Sequence, residues 1–345
     1  MRIGLIAPPW LPVPPGGYGG TEKVIDNLAR ALAELGHDVV LFTVGTSTCP
    51  VQRLWLYDTP DPQMGTTHAE LAHTVAAYDA LLDAGVDVIH DHTLAGPFVA
   101  RGRAGMPPVA ITHHGPFDEA ARLIFQQLAR TAAVVGISHH QRSTAPEVPV
   151  SAVIHHGIDL DTYSPGPGGD DLMFIGRMSP DKGVPEAIRV ARRAGRRLRV
   201  LSKMWEPCEI AFYEQEVRPL LGEDIEVHAS GDPAEQIALL RTSAALLNPI
   251  RWPEPFGLVM AEALGCGTPV LAFPNGAAPE IVDHGVTGFL CADEASMVDA
   301  VAAAPALDRD ACRQAAERRF SAQRMGLEHL ALYEELQAAP THGRR

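Results

Sequence analysis

The chain has 345 residues, 46% hydrophobic and 20% charged, a globular profile with length enough for two domains that each bury a core. Its formal net charge of −14 argues against nucleic acid or anionic lipid as partner, so an anionic ligand would need basic residues gathered locally. No apolar run reaches the roughly 20 residues of a transmembrane segment, Met1–Pro8 is too short for a signal peptide, and five scattered cysteines without a C-x-x-C favour reduced thiols, so a cytoplasmic location is expected.

Short β-like runs alternate with helical ones, and they do so twice. Strands are predicted at 2–8, 38–44, 86–90, 109–113, 132–137 and 152–155. Helical spacing covers 20–35, 69–82 and 118–130, with a turn near 138–145. The stretch Tyr163-Ser-Pro-Gly-Pro-Gly-Gly-Asp-Asp171 suits neither a central strand nor a helix. A second series follows, with strands at 172–175, 198–201, 225–228, 245–248, 270–273 and 288–291. Helices are predicted between them at 185–194, 210–221, 233–242, 256–264, 279–283 and 296–303. Strands joined by helices imply parallel sheets, so the expected fold class is α/β: two doubly wound, Rossmann-like domains facing each other across a cleft. The boundaries are set at 1–160 for the first domain, 161–170 for a linker and 171–320 for the second.

In such sheets ligands bind outside the carboxyl ends of the strands, and what collects there is unusual. Eight of the fifteen histidines fall as neighbours at these ends: His90/His92, His113/His114, His139/His140 and His155/His156. Imidazoles can form a metal cluster or a polar wall that orients hydroxyls. Adjacent residues on a strand point to opposite faces, so each doublet is expected to offer one ring at most to a common site. In the loop Pro14-Pro-Gly-Gly-Tyr-Gly-Gly-Thr-Glu22, Gly17 and Gly19 begin a G-x-G-x-x-G pattern that Glu22 breaks, and no G-K-[ST] is present. What remains is a glycine turn opening a helix, where backbone N–H groups can approach a phosphate.

In the second half, Gly176-Arg177-Met-Ser-Pro-Asp-Lys182-Gly183 ends a strand. Arg177 and Lys182 can converge there on one diphosphate, or can be two solvated surface charges. Glu254-Pro-Phe-Gly-Leu-Val-Met-Ala-Glu262 sets two carboxylates eight residues apart across the start of a helix. Pro255 suits the first helical position, with Glu254 in the loop ahead of it and Glu262 about two turns in, displaced by roughly 80°. Such acceptor-only groups bind neutral polyols; the same pattern also fits a capped helix with one solvated glutamate.

Together Gly-Gly-Thr-Glu22, His114-Gly-Pro, Gly176-Arg-x-x-x-x-Lys182-Gly, Glu254-Pro-Phe-Gly…Glu262-Ala, Gly267-Thr-Pro-Val-Leu-Ala and Gly276-Ala-Ala-Pro-Glu280-Ile-Val…Gly288-Phe resemble the family-4 retaining glycosyltransferases of GT-B fold. The resemblance runs from Met1 to about Leu336. It implies that a terminal helix within 321–345 crosses back to complete the first domain, which holds the acceptor, while the second binds the nucleotide-sugar donor. It also implies a UDP-sugar or another NDP-sugar as donor and a small-molecule glycosyl acceptor, as in antibiotic or other secondary-metabolite biosynthesis. No cofactor and no catalytic metal are expected.

The resemblance further assigns roles. Arg177 and Lys182 would bind the diphosphate and offset charge as it leaves. Gly19 and Gly20 would offer backbone contacts to the same phosphates, Glu262 would hold the ribose, and Glu254 a hydroxyl of the transferred sugar. Backbone groups of Phe256, Gly257, Leu258 and Val259, with those at Gly276–Ala278, would close around phosphate and sugar. His114 would meet the donor sugar near the reacting carbon. Lys203 would flank the donor pocket, and the base would lie against the strand ending at Gly231. Retention would proceed by front-face substitution, the departing phosphate oxygen taking the acceptor proton. Asp91 and Asp118 are the nearest carboxylates that could act as a nucleophile instead, and neither belongs to the motif.

Several residues depart from the pattern. His155 and His156 replace the usual Pro-Asn, and Ser202-Lys203 stands where a glycine is common. Asp159-Leu-Asp161 spells a metal-binding D-x-D but sits in the linker motif, which assigns it to structure. Trp55–Gly65 carries no readable motif and is a candidate acceptor loop. A GT-B epimerase or a non-catalytic sugar-nucleotide-binding protein would share the fold. The joint presence of His114, Arg177, Glu254 and Glu262 favours an enzyme.

Overall fold

The computed structural model describes residues 1–61, 68–94, 96–100, 103, 105–229 and 232–339. The chain divides into two compact units. The first comprises Met1–Pro15, Gly19–Gly157 and the chain from Ala322 onward; the second comprises Ile158–Ser321 together with Gly16–Tyr18. Among the described residues no helix is long and apolar enough to cross a membrane.

The first unit is built on a seven-stranded sheet in the order β3-β2-β1-β4-β5-β6-β7. Its strands are β1 Arg2–Ile6, β2 Asp38–Thr43, β3 Gln52–Trp55, β4 Val88–Asp91, β5 Val109–Thr112, β6 Ala133–Gly136 and β7 Val150–Val153. Every pairing is parallel. Central strands β4, β5 and β6 are buried along their whole length, which explains why β5 and β6 show no polar alternation.

The second unit is built on a six-stranded parallel sheet in the order β10-β9-β8-β11-β12-β13. These strands are β8 Leu172–Arg177, β9 Leu198–Lys203, β10 Ile225–Ala229, β11 Ala245–Asn248, β12 Val270–Ala272 and β13 Gly288–Leu290. Its core packs the helices Val184–Arg193 and Glu294–Ala303 onto β8, β9 and β12 through Phe174, Ile188, Val200, Leu271 and Met297.

The doubly wound, GT-B-like architecture expected from the sequence is present, with local differences. β3 lies partly in the stretch that carried no readable motif: Gln52 and Arg53 leave it at a half-exposed edge without an apolar period. β7 spans Val150–Val153, two residues ahead of the expected run. The helix expected over 210–221 is broken into Pro207–Phe212, a π-helical turn Tyr213–Val217 and a 3₁₀ turn Arg218–Leu220, because Pro219 cannot continue the ladder. Helix Arg309–Phe320 was not expected at all. Its sequence is strongly charged, and only Cys312, Ala315, Ala316 and Phe320 are buried.

The last helix, Ala322–Ala338, belongs to the first unit and packs along Gly20–Glu34. Gly326 makes the approach possible, since a Cβ there would lie 3.1 Å from the Ala31 Cβ and 3.2 Å from Leu35 Cδ1. That contact brings His329 and Tyr333, both buried, against the end of β4. Gly326→Leu should therefore lower the unfolding free energy by about 1–3 kcal/mol, the range for overpacking. In chemical denaturation Leu327→Ala, at a position 52% exposed, should stay within about 0.5 kcal/mol of the parent.

Candidate active site

In the second sheet the strand order reverses around β8, which lies between β9 and β11, so ligands are expected beside its carboxyl end. Arg177 is the last residue of β8 and Lys203 the last of β9. The two ends are tied together: Ser202 Oγ donates to the Gly176 carbonyl at 2.9 Å, and the Met178 N–H donates to the Lys203 carbonyl at 3.0 Å. Ser202, where a glycine is common, thus serves as a strand tie.

Lys182 closes the 3₁₀ turn Pro180–Lys182, and Gly183 follows with φ of 79°. A Cβ on Gly183 would sit 2.2 Å from the Pro249 carbonyl oxygen, so only glycine lets this turn meet the segment after β11. From the other side Gly276, φ 63°, comes so close to Glu254 that a Cβ would lie 2.2 Å from its carbonyl oxygen. The Ala277 N–H donates to that carbonyl at 2.9 Å, and Asn275 Nδ2 donates to the Ile250 carbonyl at 2.7 Å. The segment Pro249–Glu254 is thus met by one glycine loop at each end.

The result is a pair that spacing alone did not show. Lys182 Nζ donates to Glu254 Oε2, the Trp252 indole N–H donates to the same oxygen at 3.2 Å, and the ammonium stands 5.0 Å from the Trp252 ring centroid. The Lys182 and Glu254 side chains are 14% and 18% exposed, so the pair is partly desolvated yet reachable. Arg177 lies beside Asp181 at 3.5 Å, with both side chains about a third exposed. Lys203 is buried: its ammonium pairs with Glu206 and with Glu209 at 3.3 Å, and lies 4.7 Å from the Trp205 ring centroid and 5.5 Å from that of Tyr18. In a chain of net charge −14, three cations meet at one sheet end, each with a carboxylate beside it.

Glu262 lies deeper, 3% exposed. Tyr163 donates its hydroxyl to Oε1 and Gln236 its amide to Oε2, both at 2.7 Å, so each oxygen of the carboxylate accepts a hydrogen bond. The helix carrying it runs Leu258–Gly265 and begins after Gly257, which is left-handed at φ 92°. Pro255 is therefore not the first helical residue, and Glu262 stands little more than one turn in. The left-handed glycine ends the Glu254–Phe256 loop before a helix can form. The N–H groups that open this helix have no partner within it.

The first unit holds, by itself, a stacked row of histidines. His90 and His92 are two residues apart, not adjacent, so they share a face, which corrects the one-ring expectation for that pair; their centroids are 4.3 Å apart. The doublet His113/His114 splits, one ring joining the row and the other turning away. His114 hydrogen-bonds His92, Nε2 to Nδ1, at 2.9 Å, and stacks on His156 at 5.2 Å. His113 turns away, bonding the Pro116 carbonyl and packing on Phe117 and Phe125. His90 is held by Tyr333 Oη at 2.6 Å and Thr112 Oγ1 at 2.8 Å, and His329 lies 5.1 Å from its ring. His329 and Tyr333, which the sequence reading did not single out, sit at i, i+4 on the last helix, and that spacing was a signal of a shared face.

Other residues of interest have structural duties. Asp91 is fully buried, accepting from Tyr78 Oη at 2.9 Å and from the Thr93 N–H at 2.7 Å. Asp118 caps helix Glu119–Leu128 through the Ala121 N–H. Asp159 of the D-x-D folds back on Asp161 and Thr162 in an Asx turn. Gly19 and Gly20 open the helix Gly20–Glu34, in which Glu22 is 3% exposed. Gly231 and the end of the 55–65 loop lie outside the described residues. All five cysteines are free thiols.

Comparison with known proteins gives matches along most of the chain. Residues 18–162 match the model described as Glycosyltransferase Family 4, and residues 169–304 the model described as Glycosyl transferases group 1. A D-inositol 3-phosphate glycosyltransferase of Mycobacterium avium is 28% identical over 372 residues, covering 87% of this chain and 86% of that one. Among solved structures, AviGT4, a glycosyltransferase involved in avilamycin A biosynthesis, is similar with a TM-score of 0.75 and 27% identity, covering 98% of each chain. HepE from Anabaena, solved with UDP and glucose, has a TM-score of 0.75 at 18% identity over 97% of this chain and 99% of that one, a likeness of fold alone.

Burial sets the charge state of the first unit. Desolvation, reinforced in most of the row by neighbouring imidazoles, lowers the pKa of His90, His92 and His156 well below the ordinary value, that of His114 to about 3 and that of His329 to about 4. Desolvation likewise lowers His73 to about 4 and depresses His113. Unfolded, these rings would take protons near pH 6.5; folded, they refuse them until much lower pH, so their contribution is complete above about 6.5 and is lost as pH falls. Burial raises Glu22 and Glu70 to about 7 and Asp91 to about 6, which works in the opposite sense over the same window. The histidines outnumber these carboxyls, so acidification should produce net proton uptake on unfolding. From pH 7.5 to pH 5 the unfolding free energy should fall by about 1.4 kcal/mol per pH unit for each net proton, and the denaturation midpoint should fall with it; an unchanged or rising midpoint would contradict the buried neutral row.

Proposed function

This chain belongs to the family-4 glycosyltransferases of the GT-B fold, and from that premise we propose that it moves a sugar from a UDP-sugar to a small-molecule acceptor, with retention of anomeric configuration and without a divalent metal. The observation that carries the reading is the partly buried Lys182–Glu254 pair beside Arg177 at the end of β8. Lys182 has three donors and spends one on Glu254, so it can take a phosphate oxygen without losing the carboxylate. Arg177, linked to Asp181 only at 3.5 Å, can turn its planar fork to the same diphosphate. These two cations do in this reading what a metal does elsewhere: they offset the charge that grows on the diphosphate as the glycosidic bond breaks. The engagement of Asp159 in its own turn supports leaving the D-x-D out of the reaction.

Glu254, fixed by Lys182 and Trp252, accepts from a hydroxyl of the transferred sugar, and Glu262 holds the ribose. The N–H groups at Phe256, Gly257, Leu258 and Val259, with those at Gly19 and Gly20, contribute backbone contacts to phosphate and sugar, and His114 meets the transferred sugar. Lys203, buried and already paired with Glu206 and Glu209, contributes position more than charge. The structural duties of Asp91 and Asp118 favour front-face substitution over a carboxylate nucleophile. In that scheme the departing phosphate oxygen takes the acceptor proton, and no protein base is required. The acceptor is a small polyhydroxylated molecule, as in antibiotic or other secondary-metabolite biosynthesis, a reading supported by the likeness to AviGT4.

Calorimetry with UDP tests the donor half. Binding should persist in EDTA, and its loss there would refute metal independence. Glu262→Gln, which keeps an oxygen for Tyr163 or for Gln236, should weaken UDP about tenfold, as expected for one charged hydrogen bond. Glu254→Ala should not weaken UDP, because it frees Lys182, yet should slow transfer; equal losses in both variants would overturn this division of labour.

Arg177→Ala and Lys182→Ala should each lower kcat about 10²-fold as well as weakening the donor, because the charge they meet is larger in the transition state. Arg177→Lys should recover only part, since a point charge lacks the bidentate fork. Donor hydrolysis supplies the readout while the acceptor is unidentified, and wild-type kcat in both alanine variants would remove these residues from the mechanism.

A further inference from the structure

Resting on the reading that His114 touches the donor sugar, we infer that His92 is a positioning residue that fixes which ring nitrogen of His114 carries the proton, so that His114 presents Nδ1–H as a hydrogen-bond donor. The contact itself is a single bond between two imidazoles, His92 Nδ1 to His114 Nε2 at 2.9 Å, and one proton must lie between them. Two neutral rings sharing one proton leave two arrangements. If His114 donates, the proton of His92 sits on its own Nε2. If His92 donates, its Nε2 is a bare lone pair.

The surroundings of His92 decide between them. His92 is 6% exposed, and its Nε2 is buried without a hydrogen-bond partner. The stacked neighbour His90 cannot help, because both its nitrogens are engaged, one by Tyr333 and the other by Thr112. A buried orphan N–H is a rarer and costlier state than an under-used lone pair. The proton of His92 therefore sits on Nδ1 and is donated to His114. With Nε2 of His114 accepting, its own proton is confined to Nδ1.

His156, stacked 5.2 Å away at 23°, holds the plane of the His114 ring. The ring edge left for a ligand is then a neutral donor aimed at an oxygen acceptor: a sugar hydroxyl, a ring oxygen or a phosphate oxygen. A chance pairing of two histidines would leave the tautomer of His114 mixed. The orphaned Nε2 makes the choice one-sided.

Nitrogen-15 NMR of the full chain with labelled histidine reads the tautomers directly. Single variants assign the rings, and UDP-glucose serves as the ligand probe. Wild-type His92 and His114 should both be Nδ1–H; an Nε2–H signal at His114 would overturn the inference before any turnover is measured. His92→Phe, which keeps a ring in the stack, should turn His114 into a tautomer mixture, and His92→Asn, whose side-chain amide stands near the Nδ1 position, should restore Nδ1–H. A single unchanged tautomer in His92→Phe would also overturn it.

In UDP-glucose hydrolysis His92→Phe should lose about tenfold in kcat with little change in KM, with His92→Asn recovering most of the loss. If His114→Ala lowers kcat while His92→Phe does not, the positioning role fails and the proposed function stands. If His114→Ala leaves kcat intact while the tautomers are as stated, the contact of His114 with the sugar fails instead.

Discussion

A lysine and a glutamate that lie 72 positions apart in the chain neutralise one another at the end of β8, and much of the second unit's local architecture serves to hold them there. Either charge alone at that depth would be costly. Together, with the Trp252 indole on the carboxylate and its ring beside the ammonium, they form a stable but reachable dipole. Gly183 and Gly276 matter because each lets one loop reach the segment that carries Glu254, at distances no Cβ would permit. The Ser202 tie between β8 and β9 serves the same end from below.

The two units solve the problem of a polar site in opposite ways. In the second, every cation at the sheet end has a carboxylate beside it, so the site is charged but locally balanced. In the first, burial keeps a row of imidazoles neutral, so direction rather than charge is what they offer. An anionic donor and a departing phosphate need the first kind of environment, while orienting hydroxyls needs the second. A net charge of −14 is no obstacle to binding a diphosphate when the basic groups are concentrated at one strand end.

Glu262 illustrates how a residue assigned to ligand binding can also be a structural one. Tyr163 comes from the segment that follows Gly157, and Gln236 from the helix Pro233–Arg241; both converge on a carboxylate in Leu258–Gly265. The network fixes the orientation of the two oxygens.

Read alone, the sequence determined the two parallel sheets, because alternating apolar runs and helical spacing are local signals that need no partner to be seen. It also determined the chemical types at the strand ends: Arg177, Lys182, Glu254, Glu262 and His114 were all visible as motif residues. It did not determine the start of the helix after Gly257, since a left-handed glycine can override the Pro255 signal, nor the charged helix Arg309–Phe320, which buries only Cys312, Ala315, Ala316 and Phe320. Who pairs with whom was decided only by tertiary structure. The Lys182–Glu254 pair, the sharing of a face by His90 and His92 with His114 and His156, and the arrival of His329 and Tyr333 from the far end of the chain all depend on where separate segments meet. Such contacts are set by strand order and by close glycine approaches, and neither is written in the spacing of residues along one segment.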